Sequence, residues 1–249
     1  RLIITDLDGT LFGNEEAVEE LKERLHASGG KVGLGIATGR RLDSALAALK
    51  EWDVPAPDLM ITSVGSEIHY GKKLIYDKEY AQHIGYRWRR EALVEAMRGF
   101  EGFSPQPDID QRDFKISYFY DPEKAPPRRE LVRRLRAMGL EAQVIYSHGQ
   151  FTDLLPLRAS KGQAVRYLGL KWGLGLERIL VAGDSGNDED MLKTAMFGVV
   201  VGNYSRELEK LRGQPNIYFA EKPYAFGILE GAEQFDFFGT PHLLQAAAE

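Results

Sequence analysis

Short apolar runs alternate with amphipathic helical patterns in the first and last thirds of the chain. Runs of strand length lie at 2–5, 32–37 and 59–62, and helical patterns at 15–27 and 41–52 fill the intervals between them. In the last third we predict further elements at 160–171, 178–182, 187–194, 198–201, 205–211, 217–219 and 225–235. Repeated strand–helix units of this kind predict a parallel sheet that helices cover on both faces.

The middle of the chain has a different pattern. Two basic helical stretches, at 85–100 and 126–138, alternate with strand signals. The predicted strands of this region lie at 114–120, 141–146 and 151–155, after a hairpin signal at 66–76. This order is typical of a small α+β module. We therefore predict an α/β fold with two parts: a doubly wound parallel-sheet core formed by residues 1–77 and 157–249, and an inserted α+β cap at 78–156.

Composition excludes several classes of protein. The formal net charge of −5 argues against nucleic acid as a partner. The absence of cysteine excludes disulfides, zinc–thiolate sites and a cysteine nucleophile. No apolar run approaches the roughly 18 residues of a membrane span, so no membrane partner is expected. The chain begins with Arg1 rather than Met, which leaves trimmed upstream residues and the tail of a longer fusion as open interpretations.

Two carboxylates follow the first predicted strand directly. Asp6 and Asp8 lie in the run 6–10, and ligands of an open parallel sheet bind beyond the carboxyl ends of its strands. A turn that begins at Asp8-Gly9 can aim both carboxylates at one site, where such groups hold Mg²⁺ or attack phosphorus. A solvated turn is the alternative, because Asp-Gly is common in turns.

A second acidic turn follows the strand predicted at 178–182. Asp184 and Asp188 add two carboxylates there, and Asn187 lies at the start of the next helix. The free N–H groups of a helix start suit an anion. A helix N-cap alone would account for one acidic residue but not for two.

Two weaker signals complete the set. The run 38–40 follows the second strand, where the Thr38 hydroxyl and backbone N–H groups suit a phosphate, although a simple helix cap is the commoner meaning of Thr-Gly. Lys161 opens the helix after the cap and can neutralise phosphate oxygens, with a surface lysine as the alternative. All four signals lie at strand-to-helix junctions that are expected to face one crevice. Together they indicate phosphoryl transfer assisted by a metal ion.

The four signals resemble, in order, the motifs of the haloacid dehalogenase superfamily: DLDGT (6–10), ATGR (37–40), SKG (160–162) and GDSGND (183–188). The resemblance implies that Asp6 forms an aspartyl-phosphate and that Asp8 acts first as an acid and then as a base. The phosphate-binding residues that it implies are Thr38, Gly39, Lys161 and Asn187. The Mg²⁺ ligands that it implies are Asp6, Asp8 through its backbone carbonyl, and Asp184, with Asp188 either a direct ligand or a support for the others.

The place of the cap, between the third strand and the lysine helix, resembles the subgroup with α/β caps of the C2 type. Stretches outside the motifs are similar to sucrose-phosphate phosphatases: ITSVGSEIHY (61–70), FKISYFYDP (114–122), TDLLPLRASKGQA (152–164) and FDFF (235–238). The resemblance implies Mg²⁺-dependent hydrolysis of sucrose 6-phosphate to sucrose and phosphate, in the cytoplasm.

The cap is expected to recognise the sugar through polar groups on a rigid frame. On the strand at 114–120, alternation separates Lys115 and Ser117 from Tyr118 and Tyr120. We predict that the first pair faces the crevice and that the tyrosines pack against the cap helices. The arginines of those helices are expected to form a solvated face. The candidate sugar contacts are Ser66, Glu67, Lys115, Ser117, Gln150 and Asp153.

Three other functions stay open. One is a phosphomutase of similar fold. The second is hydrolysis of another sugar phosphate, such as mannosyl-3-phosphoglycerate or trehalose 6-phosphate; the carboxylate of the glycerate would require cap arginines in the pocket. The third is a phosphatase-like tail of, or a module associated with, a sucrose-phosphate synthase. The presence of every motif residue disfavours a module without activity.

Overall fold

The computed structural model describes residues 1–195 and 197–239, so Met196 and the end of the predicted core range, 240–249, lie outside the described residues. The strands are β1 (Leu2–Thr5), β2 (Gly33–Ala37), β3 (Leu59–Thr62), β4 (Glu67–Tyr70), β5 (Ile75–Tyr76), β6 (Phe103–Pro105), β7 (Ile116–Tyr120), β8 (Gln143–Ser147), β9 (Phe151–Leu155), β10 (Ile179–Gly183), β11 (Phe197–Val200) and β12 (Ile217–Phe219). The α-helices are α1 (Glu15–Ala27), α2 (Leu42–Glu51), α3 (Lys78–Ile84), α4 (Arg90–Met97), α5 (Arg128–Ala137), α6 (Lys161–Trp172), α7 (Glu189–Thr194) and α8 (Tyr224–Gln234).

The larger sheet has the strand order β12-β11-β10-β1-β2-β3-β4-β5. It is parallel from β12 to β3, and β4 and β5 extend it as an antiparallel hairpin. Strand β1 lies between β2 and β10, with Leu2 opposite both Gly33 and Ile179. The carboxyl ends of these three central strands therefore meet at one edge, and the turns that follow them share one crevice.

Helices cover both faces of this sheet, as its apolar strands require. Ile3 of β1 points into a core shared with α1, α2 and α8. Its neighbours Leu2 and Ile4 point to the other face, into a core shared with α3, α6 and α7. The predicted doubly wound α/β core is confirmed.

A second, antiparallel sheet has the order β6-β7-β9-β8. One of its faces packs against α4 and α5, where Leu93 and Leu131 meet Ile116, Tyr118 and Leu154. Tyr118 therefore packs against the cap helices, as predicted. Tyr120 differs, because it stacks on Tyr146 with ring centroids 4.6 Å apart and takes no part in that apolar cluster.

The helix predicted at 85–100 is shorter in the structure, where α4 covers only Arg90–Met97. Another helix that was not predicted, α3, ends before this range, and a turn at 85–89 separates the two helices. Gly85 caps α3, and Arg87 has a φ of 60°, which a continuous helix excludes. Tyr80 and Ile84 of α3 pack into the core of the larger sheet, although they lie within the range predicted for the cap. Strand β6 was not predicted.

The end of the chain differs from the sequence-based expectation in detail. The helix predicted at 187–194 is a 3₁₀ turn at Gly186–Asp188 followed by α7. The element at 205–211 is a 3₁₀ helix, Arg206–Leu211. In the described part of the chain, no helix combines the length and the apolar character that a membrane crossing needs.

Candidate active site

Asp6 occupies the position directly after β1, in the middle of the sheet edge. Its backbone N–H donates to Ala182 O of β10 at 3.0 Å, which fixes the start of the turn. The chain then closes a wide turn over Leu7–Leu11, in which Gly9 has a φ of 77°. A Cβ on Gly9 would lie 2.7 Å from Asp184 Oδ2. Glycine is therefore required here both for the backbone conformation and for the approach of the second acidic turn.

Lys161 links the two acidic turns from the first residue of α6. Its Nζ lies 2.8 Å from Asp6 Oδ1, 2.7 Å from Asp188 Oδ1 and 2.9 Å from Asn187 Oδ1. Ser160 begins the helix by accepting a hydrogen bond from the backbone of Gln163. The side chain of Lys161 is completely buried, so it is not a surface lysine.

Three buried carboxylates converge beside this lysine. Asp6, Asp184 and Asp188 each place an oxygen within 4.8 Å of the others. Burial and the charge of Asp188 raise the pKa of Asp184 to about 7. Burial also raises the pKa of Asp6 well above its usual range, although Lys161 opposes the shift. One ammonium group does not balance three carboxylates in so buried a place, and hard oxygen donors of this kind suit Mg²⁺. The cluster therefore fits a divalent cation.

The oxygens of Asp188 are already engaged. Asp188 Oδ1 accepts from Lys161, and Oδ2 accepts from the backbone N–H groups of Asp184 and Ser185, both at 3.1 Å. Asp184 has a different environment, since among the described residues only its Oδ1 receives a hydrogen bond, from the Thr10 hydroxyl at 2.9 Å. This asymmetry favours Asp184 as the direct ligand and Asp188 as the residue that orients it and Lys161.

The turn after β2 lies against the same site. Thr38 is fully buried, and its Oγ1 accepts from the Arg40 backbone N–H at 3.1 Å. Gly39 lies close to Asn187, because a Cβ at residue 39 would be 3.7 Å from Asn187 Nδ2. The side chain of Arg40 reaches across the crevice to the carboxylate of Asp8.

A cavity of about 450 Å³ lies between these turns and the second sheet. Its core side is lined by Asp6, Asp8, Gly39, Arg40, Arg41, Ser44, Val64 and Asn187. Its cap side is lined by Gln106, Ile109, Asp110, Lys115, Ser147, His148, Phe151 and Asp153. The cavity has an acidic end, where Asp6 and Asp8 line it, and a polar end on the cap side.

Lys115 and Asp153 lie on the cap side of the cavity and are nearly buried. Lys115 Nζ is 3.6 Å from Asp153 Oδ1, which also accepts from the Ser117 hydroxyl at 2.6 Å. Ser117 is behind this pair and does not line the cavity itself. The three side chains share the sheet face opposite the cap helices, in agreement with the alternation of β7.

The other candidate sugar contacts lie away from the cavity lining. The Ser66 hydroxyl donates to Ser63 O, and Glu67 accepts from the hydroxyls of Thr62 and Ser63. Gln150 is exposed in the turn between β8 and β9. Their roles as sugar contacts stay predictions.

Sequence reasoning missed several lining residues. Gln106, Ile109 and Asp110 come from the segment between β6 and β7, where no strand or helix signal drew attention. Ser147 and His148 lie at the end of β8, two to three residues before the predicted Gln150, and the left-handed φ of His148 (52°) turns the chain there. Arg41 and Ser44 lie at the start of α2. The sequence motif that identified Thr38 precedes this same helix start, so it could also have indicated these two residues.

The chain is similar in sequence and in fold to known phosphatases. The chain is 38% identical to the sucrose-phosphatase of Synechocystis sp. PCC6803, whose structure was solved with sucrose and phosphate; the TM-score is 0.88, over 94% of this chain and 97% of that one. It is 34% identical to the mannosylfructose-phosphate phosphatase of Agrobacterium fabrum, over 93% of this chain and 95% of that protein.

Plant relatives are longer. The chain is 33% identical to probable sucrose-phosphatase 3a of Arabidopsis thaliana over 80% of its own length, and the match spans 50% of that protein. The model of the sucrose-6F-phosphate phosphohydrolase family matches residues 1–236. The chain therefore belongs to the sucrose-6F-phosphate phosphohydrolase family, a family of phosphatases with the haloacid dehalogenase fold.

Proposed function

We propose that this chain hydrolyses sucrose 6-phosphate to sucrose and phosphate through a phosphorylated Asp6. The observation that carries the proposal is that one cavity reaches from Asp6, a member of the buried acid cluster, to the Lys115–Asp153 pair of the cap. The solved relative that binds sucrose and phosphate supports the same ligand.

In the first step, a carboxylate oxygen of Asp6 attacks phosphorus and the bond from phosphorus to the sugar oxygen breaks. Asp8, which lines the same cavity two residues later, donates the proton that the leaving alcohol needs. In the second step, Asp8 takes a proton from water, which attacks the phosphorus of the aspartyl-phosphate and releases phosphate. Asp6 is thereby returned to its starting form.

Lys161, Thr38, Gly39 and Asn187 hold the phosphoryl oxygens in this proposal. Lys161 is protonated at neutral pH. Although burial favours the neutral amine, Asp188 and Asp6 hold the pKa of the ammonium group above its ordinary value. Asp6, Asp184 and the backbone carbonyl of Asp8 would hold Mg²⁺, with Asp188 in support. The ion supplies positive charge that stabilises the transferring phosphoryl group.

The cap end of the cavity favours a neutral sugar. Its charged side chains are paired, Lys115 with Asp153 and Asp110 with Arg41 at 3.7 Å. Within the described residues, no arginine of α4 or α5 lines the cavity. A substrate with an additional carboxylate, such as mannosyl-3-phosphoglycerate, would find no unpaired cation from these helices.

A second candidate substrate is mannosylfructose phosphate. The 34% identity to a phosphatase of that name, over nearly the full length of both chains, favours it. Mannose and glucose differ only in the configuration at C2, so discrimination depends on a single hydroxyl. Association or fusion with a sucrose-phosphate synthase stays a prediction. A hinged cap is a further one, because the cap is expected to join the core by two connections only, near Asp77 and Pro156.

The test is phosphate release with Mg²⁺ from equal concentrations of sucrose 6-phosphate, mannosylfructose phosphate, trehalose 6-phosphate and mannosyl-3-phosphoglycerate. We expect the highest kcat/KM for sucrose 6-phosphate and no activity after treatment with EDTA. A higher value for mannosylfructose phosphate would replace the substrate but keep the chemistry. Isomerised sugar phosphate in place of free phosphate, followed with a ³²P label, would replace hydrolysis by mutase activity.

A further inference from the structure

The segment after β3 has an unusual backbone. Ser63, Val64 and Gly65 have φ values of 53°, 60° and 90°, so three successive residues are left-handed. This conformation is rare for any residue with a side chain and rarest for a β-branched one such as valine. Ser63 and Val64 are also buried. Such strain persists only where the surroundings impose it, and it concentrates at functional sites.

This left-handed turn (63–65) holds the phosphate-binding turn by its backbone. Ser63 N donates to Arg40 O at 2.8 Å, and Val64 N donates to Thr38 O at 3.0 Å. The Val64 side chain lies beside the intervening Gly39, where a Cβ would be 3.7 Å from Val64 Cγ2. Thr38 and Arg40 are therefore both placed by residues 63 and 64.

The other side of the left-handed turn is held by α3. The Tyr80 hydroxyl donates to Gly65 O at 2.7 Å, and the tyrosine is only 1% exposed. Burial raises the pKa of Tyr80, so the phenol is protonated and able to donate at neutral pH. Gly65 also packs on the start of α6, since a Cβ there would lie 2.1 Å from the carbonyl carbon of Ser160. The turn thus contacts the elements that carry Thr38 and Lys161.

We propose that Tyr80 is a positioning residue for phosphate: its hydroxyl fixes the left-handed turn 63–65, and that turn fixes Thr38 and Gly39 in the phosphate site. Tyr80 lies three residues after Asp77, and Asp77 is the point at which the chain leaves the larger sheet for the cap. The contact therefore couples the path into the cap to the phosphate site. This inference rests on the proposed roles of Thr38 and Gly39.

The test compares Tyr80→Phe with Tyr70→Phe. Both variants lose one phenol oxygen near the same chain segment, but the Tyr70 hydroxyl donates to Asp77 and not to the left-handed turn. The affinity for inorganic phosphate is measured by calorimetry in Mg²⁺, together with kcat and KM for sucrose 6-phosphate, at a temperature at which both variants are folded. For Tyr80→Phe we expect phosphate binding and kcat to fall by about three- to tenfold, the effect of one buried hydrogen bond. For Tyr70→Phe we expect values within twofold of the unsubstituted protein.

A second variant, Val64→Gly, accepts the left-handed backbone and removes the side chain beside Gly39. We expect it to fold and to bind inorganic phosphate more weakly. Unchanged phosphate affinity in both Tyr80→Phe and Val64→Gly, or an equal loss in Tyr70→Phe, would overturn the inference. Phosphate binding is measured without a sugar. If the unsubstituted protein binds phosphate but does not hydrolyse sucrose 6-phosphate, and Tyr80→Phe still binds phosphate more weakly, the substrate is rejected and the positioning role is not.

Discussion

Arg40 holds both carboxylate oxygens of Asp8. Arg40 Nε lies 2.7 Å from Asp8 Oδ2, and Nη2 lies 2.6 Å from Oδ1. The pair stands at the mouth of the cavity, with the side chain of Asp8 half exposed. A two-point contact of this kind sets the plane of the carboxylate as well as its position. Arg40 therefore orients the proposed acid and base, while the backbone of the same residue is held by Ser63.

The first prediction concerns this pair. Arg40→Lys keeps the positive charge but loses the planar fork, so Asp8 is no longer oriented. We expect kcat for sucrose 6-phosphate to fall by about tenfold or more, the rate equivalent of a lost hydrogen bond to a charged group. The check is steady-state kinetics, with Arg24→Lys in an exposed ion pair as the control. A normal kcat in Arg40→Lys would mean that Asp8 needs no help from Arg40.

The second prediction concerns pH and metal. Asp184 has a folded pKa of about 7 against an ordinary 3.8, so its protonated form stabilises the metal-free fold. The contribution of Asp184 to the free energy of unfolding is greatest below pH 3.8 and is lost as the pH rises through about 7. Mg²⁺ favours the ionised carboxylate, so its stabilising effect must increase over the same interval. We expect the rise in Tm caused by Mg²⁺ to be small at pH 5.5 and to grow up to pH 8, as measured by thermal melts.

Asp184→Asn provides the control for that prediction, because the amide does not titrate. In this variant the increase in Tm with Mg²⁺ is expected to be small at every pH. An equal Mg²⁺ effect in the variant and in the unsubstituted protein would place the ion elsewhere.

The third prediction concerns sugar recognition. Asp153→Asn removes the carboxylate that Lys115 and Ser117 share, and leaves a nearly buried ammonium group without its partner. We expect KM for sucrose 6-phosphate to rise by about tenfold. Turnover of p-nitrophenyl phosphate, which carries no sugar, is expected to change much less. Equal losses for both substrates would indicate general damage to the site and not a role in sugar binding.

The main architecture could be predicted from the sequence because its signals are local. Apolar runs of strand length, each followed by a helical pattern, defined the central strands, and the motif residues follow from their places at strand ends. The turns that carry Asp6 and Asp188 meet because β1 and β10 are parallel neighbours, and Lys161 reaches both carboxylates from the first residue of α6. The opposite faces of Lys115 and Tyr118 followed from strand alternation alone.

What the sequence did not reveal depends on long-range packing. The run 85–100 is rich in helix formers, yet the left-handed Arg87 excludes a helix over its first residues, and α4 begins only at Arg90. The pairing of Arg40 with Asp8 joins residues 32 positions apart. The left-handed Val64 has no local signal, because valine disfavours the conformation that its neighbours impose.

The role of Asp6 as the nucleophile is tested most directly by phosphate release from sucrose 6-phosphate by Asp6→Asn. The asparagine keeps the shape of the side chain but cannot form an acyl phosphate. We predict a loss in kcat on the order of 10⁴-fold or more, with the cooperative thermal transition retained. Turnover of Asp6→Asn within tenfold of the unsubstituted protein would show that Asp6 is not the nucleophile.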